Sequence, residues 1–192
     1  EIDKLKKCIK SIKPQVDDLI IADNSEKERK DIKNILTNHY FHTKNRGIAY
    51  AQNIAIKKAL ELSGDIIFFS DQDSFFPSDY TFNAEELFKE ISKVDKKVIA
   101  IAPLVKDVVK KKQISFVKRF LFFKIKFQNK DPNLKYFQIY EAINSGFIVK
   151  SSGFKEIGTF NEDLFLDWVD FEWCWRAKKK GFNIYGTNKI YI

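Results

Sequence analysis

Residues 65–74 read Asp-Ile-Ile-Phe-Phe-Ser-Asp-Gln-Asp-Ser, an apolar run with strand character that delivers two carboxylates, Asp71 and Asp73, at its carboxyl end. No other stretch constrains the fold as much. Ala, Ile and Leu recur on one helical face over residues 48–62 and the pattern stops at Gly64, so a helix feeds this strand. Alternate residues of an extended chain face one side, so both acids are expected to converge on one point. Their repulsion there is costly unless a divalent cation lies between them. In α/β proteins such a strand end is also where ligands bind. A solvated loop, or a cap for the following turn, is the structural alternative.

The helix-then-strand order recurs along the chain. Ile2, Leu5, Cys8, Ile9 and Ile12 have helical spacing and stop before Pro14, after which residues 18–22 read as a short buried strand. Residues 26–36 are polar and helix-compatible, 39–43 extended, 81–94 helical, and 97–102 and 146–149 strand-like. A helix over 168–180 is closed by Gly181 before a strand at 182–185. This alternation predicts an α/β fold with a mainly parallel sheet flanked by helices. A length of 192 residues with 44% hydrophobic content suits one domain over 1–192.

The net charge of +8 is concentrated between positions 104 and 126, where eight basic residues stand against Asp107 alone. Interleaved Phe and Ile residues make this segment suited to an anionic membrane surface or a polyanion. Residues 123–127, Phe-Lys-Ile-Lys-Phe, alternate strictly, so a half-buried strand is the competing reading. The two cysteines, Cys8 and Cys174, are far apart, which points to buried, reduced thiols in a cytoplasmic protein. No apolar run approaches the ~20 residues that span a bilayer. The chain has no methionine, so Glu1 is not expected to be its natural start.

Several polar groups punctuate these elements. Asp23-Asn24-Ser25 follows a strand directly and suits either a structural turn or the polar edge of a ligand. Asn45-Arg-Gly47 precedes a helix whose early turns carry Asn53, a poor interior residue among Ala and Ile, which suggests a hydrogen-bonding role or an exposed position. Asp167 and Asp170 stand at a helix start as cap and N3 acid, or as functional carboxylates among Trp168, Phe171, Trp173 and Trp175. His39 and His42 are the only histidines and read as surface or sheet residues. No Walker or G-x-G-x-x-G loop occurs.

Taken in order, Asp23-Asn24-Ser25, Asn45-x-Gly47-x5-Asn53, Asp71-Gln-Asp73-Ser74, Asn144-Ser145-Gly146 and Asp167-x-x-Asp170-x-Glu-Trp-Cys-x-Arg176 resemble the family-2 inverting glycosyltransferases of GT-A fold. Within them the pattern is most similar to the bacterial rhamnosyltransferase group. The resemblance covers essentially the whole chain, and it implies a Rossmann-like GT-A domain truncated at both ends. It further implies that Asp23 contacts the nucleobase, Asn24 adjoins it, Asn45, Gly47 and Asn53 line the nucleotide pocket, and Asp71 holds the ribose side. Asp73 would ligate Mg²⁺ or Mn²⁺, and Asp170 would be the catalytic base. Asn144, Ser145, Gly146, Asp167 and Trp168 would border the acceptor and the donor sugar. The implied partners are a nucleotide-diphosphate sugar, with dTDP-rhamnose first, and a polysaccharide or lipid-linked glycan acceptor at the inner face of the membrane. Val169 stands where many relatives carry an acid, and Ala55 where a Gly is common. The rival reading is a non-catalytic module that binds a nucleotide, or binds nucleic acid through the basic segment; nucleic acid is the less expected partner, because a basic binding protein has no need of paired acids at strand ends.

Overall fold

A computed structural model describes residues 2–33, 39–107, 112–120, 123–129, 131 and 133–192, with side chains at 107, 118–120 and 123–124 left undescribed. The elements are α1 (Ile2–Ile12), β1 (Ile20–Asp23), α2 (Lys30–Lys33), β2 (His39–His42), α3 (Ile48–Glu61), β3 (Ile66–Phe68) and α4 (Tyr80–Val94). They continue as β4 (Val98–Leu104), β5 (Lys106–Asp107), β6 (Lys112–Gln113), β7 (Phe116–Phe120), β8 (Phe123–Phe127), β9 (Tyr136–Ile139), β10 (Ile148–Lys150), α5 (Ser151–Ile157), α6 (Val169–Lys179) and β11 (Asn183–Tyr191). The expected helix over 26–36 is the single turn α2, and the expectation for residues 34–36 lies outside the described residues.

The central sheet has the order β3-β10-β4-β11-β9, and β1 pairs with β2 in a separate parallel ladder. The strand directions follow from the connections. Those that follow a helix, β3 after α3, β4 after α4 and β11 after α6, all run the same way. β9 and β10 arrive with no helix before them and run the opposite way. A parallel return needs a crossover of a dozen or more residues, usually helical, and these two strands have none. Three of the five strands therefore share one direction, but because β10 is inserted between β3 and β4, only the β4–β11 ladder of this sheet is parallel. The sheet is mixed where the alternation of elements predicted a mainly parallel one.

β4 is the central strand and is buried along its whole length. Its residues divide between the two faces, as do those of β10. Ile99, Ala102, Phe147 and Val149 join a cluster with Ile56 of α3, Phe154 of α5 and Trp173 of α6. Val98, Ile101 and Ile148 join Cys8 and Ile12 of α1 and Tyr80, Leu87 and Ile91 of α4. Both thiols are free and buried in these layers.

The basic segment forms two hairpins, β5–β6 and β7–β8. Phe116 and Phe127 pair across the second and pack on Phe137 of β9. The half-buried alternation holds at Phe127 and fails at Ile125, whose side chain is 48% exposed. Lys110 and Lys111 lie outside the described residues, as do the side chains of Lys118, Arg119 and Lys124. Among the described residues no helix is long and apolar enough to cross a membrane.

Candidate active site

The carboxyl ends of β3, β4 and β11 lie at one edge of the sheet, and there the turn leading into β10 meets the end of β3. The ladder between these strands runs past their formal ends: Phe69 donates its N–H to the Phe147 carbonyl at 2.8 Å, and Gly146 donates to the Phe69 carbonyl at 3.0 Å. Gly146 has φ +70°, and a Cβ there would stand 2.8 Å from Pro103 Cγ and 2.9 Å from both Ile192 Cδ1 and the Tyr80 hydroxyl. Only glycine meets both conditions without strain. Tyr80 donates its hydroxyl to the Gly146 carbonyl at 2.5 Å, fixing the turn from the other side.

This turn carries two of the predicted site residues to two predicted acids. Asn144 donates its backbone N–H to Asp170 Oδ2 at 2.9 Å. Ser145 donates its hydroxyl to Asp71 Oδ2. The side-chain oxygen of Asn144 is buried with no hydrogen-bond partner among the described residues.

Asp170 is the second residue of α6, and its Oδ1 accepts the Phe171 N–H at 2.8 Å. Burial pushes this carboxyl above the usual carboxylate range, the negative charge of Asp71 adds to the rise, and the donated N–H groups oppose it. The capping alternative does not hold at Asp167. Trp168 occupies the N-cap position in a left-handed conformation, φ 71°, with no side-chain cap bond, and Asp167 is exposed. The Trp168 ring is 54% exposed and contacts Phe171 and Trp175, with centroids 5.8 and 5.9 Å apart.

β3 ends at Phe68, and the chain turns at residues 72–73, with Ser74 N–H donating to the Asp71 carbonyl at 3.2 Å. The strand alternation that was to align Asp71 with Asp73 stops short of both. Asp71 faces Ser145, while the exposed Asp73 pairs with Lys4 of α1 at 3.3 Å. Among the described residues no three His, Cys, Asp or Glu side chains gather to form a metal cluster.

The remaining predicted residues divide by what their polar atoms touch. Asp23 is buried at the end of β1 and accepts from Ser25 N–H at 3.0 Å, Ser25 Oγ at 2.6 Å, Tyr40 hydroxyl at 2.5 Å and Arg29 N–H at 3.3 Å. Burial alone would raise its carboxyl, but these donors outweigh it and hold the group below its usual range. Asn24 Oδ1 accepts from Thr43 at 2.8 Å. Asn45 is exposed, with φ 51°, in the loop before α3. Gly47 has φ +96°, and a Cβ there would be 2.8 Å from the Phe165 carbonyl, which accepts the Ile48 N–H. The start of α3 is thus seated against the loop that leads to Trp168.

Asn53 is buried and spends its amide on that same loop. Its Nδ2 donates to the Phe160 carbonyl and to Glu162 Oε1, and its Oδ1 accepts the Phe160 N–H, all at 2.9 Å. From the other side, Trp173 Nε1 donates to the Gly158 carbonyl at 2.9 Å, and Arg176 donates to the Ile157 and Thr159 carbonyls at 2.9 and 2.6 Å. Residues 157–162 are therefore tied to α3 and to α6.

A cavity of about 380 Å³ is lined by Trp168 and Phe171, which flank Asp170 in sequence, and by Ser145, Phe116, Lys126 and Glu141. Sequence reasoning missed Glu141 and also Lys4. The signal for Glu141 was a single acid in the otherwise uncharged stretch 136–149; for Lys4 there was none, because its partner Asp73 is 69 residues away.

The central sheet with helices packed on both faces is the fold of the GT-A glycosyltransferases. The sequence matches the model of glycosyl transferase family 2 over residues 1–158, and the chain belongs to that family. It is 31% identical over 144 residues to the dTDP-rhamnosyl transferase RfbF of Shigella flexneri, across 74% of this chain and 46% of that protein, so it spans about half the length of this curated relative. In fold it is similar to GalNAc-T7, crystallised with UDP, GalNAc and Mn²⁺, with a TM-score of 0.74, 12% identity and coverage of 100% of this chain and 41% of that one. It is also similar to residues 1–349 of S. aureus TarS, with a TM-score of 0.59, 15% identity and coverage of 99% and 56%.

Proposed function

We propose that residues 1–192 form one GT-A domain of an inverting, metal-dependent glycosyltransferase that takes a sugar from a nucleotide diphosphate, with dTDP-rhamnose the first donor to test. The acceptor is a polysaccharide or lipid-linked glycan, reached from the cytoplasmic face of the membrane, with the basic hairpins towards anionic lipid. The observation that carries this reading is the setting of Asp170: a carboxyl raised by burial and oriented by the N–H groups of Asn144 and Phe171, on the turn of α6 whose Phe171 lines the cavity.

In this reading Asp170 takes the proton of the acceptor hydroxyl as its oxygen bonds to the anomeric carbon, and the bond to the diphosphate breaks with its electron pair leaving on the nucleotide. One such displacement inverts the anomer and forms no covalent enzyme intermediate. Trp168 and Phe171 keep bulk water from the reacting centre. Asp71 and Asp73 supply hard carboxylate oxygens, and the ammonium of Lys4 against Asp73 marks a position that attracts a cation. This donor set suits Mg²⁺ or Mn²⁺, which one or two carboxylates hold together with substrate phosphates. A cation bound there would neutralise the leaving diphosphate. Asp23, Asn24, Asn45 and Gly47 border the base and ribose, with Asn53 acting through the loop it ties.

Calorimetric titration of dTDP-, UDP- and GDP-sugars with and without Mn²⁺ tests the reading. Mn²⁺-dependent binding of one of them supports it. Binding of single-stranded nucleic acid with a steep salt dependence, and of none of the sugar nucleotides, replaces it with the binding-module reading.

A further inference from the structure

The outer face of α1 carries Lys6, Lys7 and Lys10, with Lys13 just beyond the helix. All four are exposed and none holds an ion pair among the described residues, whereas Lys4 is engaged by Asp73. Asp3 is the one acid in α1. Like charges three and four residues apart repel, so this stripe weakens the helix that carries it. The start of α4 has the opposite sign. Asp79, Glu85 and Glu86 are exposed there, three or four residues from Phe82, which is itself 66% exposed, and no base occurs before Lys89. Lys89 donates to Glu86 at 2.8 Å and Lys93 lies one turn further on, so Asp79 and Glu85 hold no ion pair among the described residues.

Both helices pack on the same face of the sheet: Cys8 and Ile12 of α1 join Tyr80, Leu87 and Ile91 of α4 over Val98, Ile101 and Ile148. Where they approach, Gln15 Oε1 accepts the Thr81 N–H at 3.2 Å, and Thr81 donates its hydroxyl to the Gln15 carbonyl at 2.9 Å. Their outer faces therefore form one surface, basic over α1 and acidic at the start of α4. Beside α1, the Ser11 hydroxyl oxygen accepts the Phe76 N–H at 3.2 Å, and the neighbouring Phe75 is 66% exposed. A lone exposed phenylalanine is ordinary, but here one ring stands beside each sign of charge.

A surface that carries both signs side by side is complementary to a copy of itself turned about a two-fold axis, since α1 then meets the partner's α4 and α4 the partner's α1. We propose that the α1–α4 face takes a second copy of this chain, with the α1 lysines against the acids at the start of α4 and with Phe75 and Phe82 covered between them. An anionic membrane would match the lysines but would meet Asp79 and Glu85 as like charges. Two helices about 16 and 22 Å long give a footprint of roughly 400 Å², half of a standard partner's share, so the dimer is weak. Phe75 follows Asp73 by two residues, so the interface borders the turn that carries this acid.

Sedimentation velocity of the 192-residue chain tests this. A monomer–dimer equilibrium is expected at about 10–100 µM, weakened at least tenfold between about 0.05 and 0.5 M NaCl. Lys7→Glu with Lys10→Glu, and separately Glu85→Lys with Glu86→Lys, should each weaken it by at least as much. An equimolar mixture of the two variants should restore the dimer, because both contacts of the mixed pair again join opposite charges. A misfolded variant could not be rescued in this way, and all four positions are exposed. A parent that stays monomeric up to about 0.5 mM overturns the proposal, as does a dimer that both variants retain or a mixture that stays monomeric. Anionic vesicles that bind the parent but not the Lys7→Glu, Lys10→Glu variant, with no dimer at any concentration, assign the lysines to lipid instead.

Discussion

Asn144 and Asp170, 26 residues apart in sequence, are joined by a 2.9 Å hydrogen bond from the Asn144 backbone N–H to Asp170 Oδ2. The next residue, Ser145, donates its hydroxyl to Asp71. One short turn thus connects the acid at the end of β3 with the acid at the start of α6. The donor and acceptor sides of the proposed reaction are held in register by two adjacent residues.

Replacing Asp170 with Asn separates activity from stability. Transfer is expected to fall by at least about 10²-fold, the usual scale for losing a general base, with nucleotide affinity unchanged. The pH dependence of stability should change as well. Because the Asp170 carboxyl is raised in the folded state, the native protein holds this proton more tightly than the unfolded chain, and its contribution to stability falls as pH climbs from the ordinary carboxylate value through the raised one. Asn removes that fall, while its amide nitrogen cannot accept one of the two N–H groups that the carboxylate oxygens accept, a loss present at every pH. The melting point of the variant relative to the parent should therefore rise between about pH 3 and pH 7. Melting curves across this range check it, and a relative melting point that is flat or falls with pH refutes it.

Ser145→Ala removes the hydroxyl that orients Asp71 and leaves the backbone turn intact. Hydrogen bonds to charged groups contribute about 1.5–3 kcal/mol, so metal-dependent nucleotide binding should weaken roughly tenfold or more if Asp71 faces the donor. Calorimetry with Mn²⁺ present reads this directly. Unchanged affinity would place the donor elsewhere.

Asn53→Ala should act through the fold. It strips three hydrogen bonds from residues 160–162 and leaves the Phe160 N–H and carbonyl without this partner in a buried setting. A cost of about 2–4 kcal/mol is expected, which for a domain of this size lowers Tm by roughly 5–15 °C. Differential scanning calorimetry gives the value, and a shift below about 2 °C would show that the loop is held by Arg176 and Trp173 alone.

The helix-strand unit α3–β3, the acids that follow it and the helix carrying Asp170 were legible in the sequence because each is set by local periodicity and a local stop signal. Asn53 was legible as a residue kept for hydrogen bonding, but its partners lie 107 and 109 residues away and no local pattern names them. The reversal of β10 escaped for a similar reason: element order predicts neighbours joined by helices, whereas a strand that arrives without one can insert between two that share a direction. Asp73 was placed in register with Asp71 by strand alternation, and the turn at 72–73 removes that register. Glu141 escaped because one acid in a strand-like stretch carries no spacing to interpret.

Lys4 and Asp73 provide a last test, of metal binding. The ammonium stands 3.3 Å from Asp73 Oδ2, both side chains are mostly exposed, and the pair bridges α1 to the turn after β3. A divalent cation on Asp73 must displace or share this position, so Lys4 competes with it electrostatically. Lys4→Ala should therefore tighten Mn²⁺ binding, by a few-fold because the ammonium is well solvated. Its Tm should stay within about 2 °C of the parent, as for most exposed substitutions. Asp73→Ala should abolish the Mn²⁺ dependence. Titrating Mn²⁺ by its electron paramagnetic resonance signal, with a nucleotide diphosphate present, distinguishes the cases. Weaker Mn²⁺ binding in Lys4→Ala would instead assign Lys4 to the diphosphate, since a lysine that helps hold the phosphates would be lost together with part of the cation's coordination.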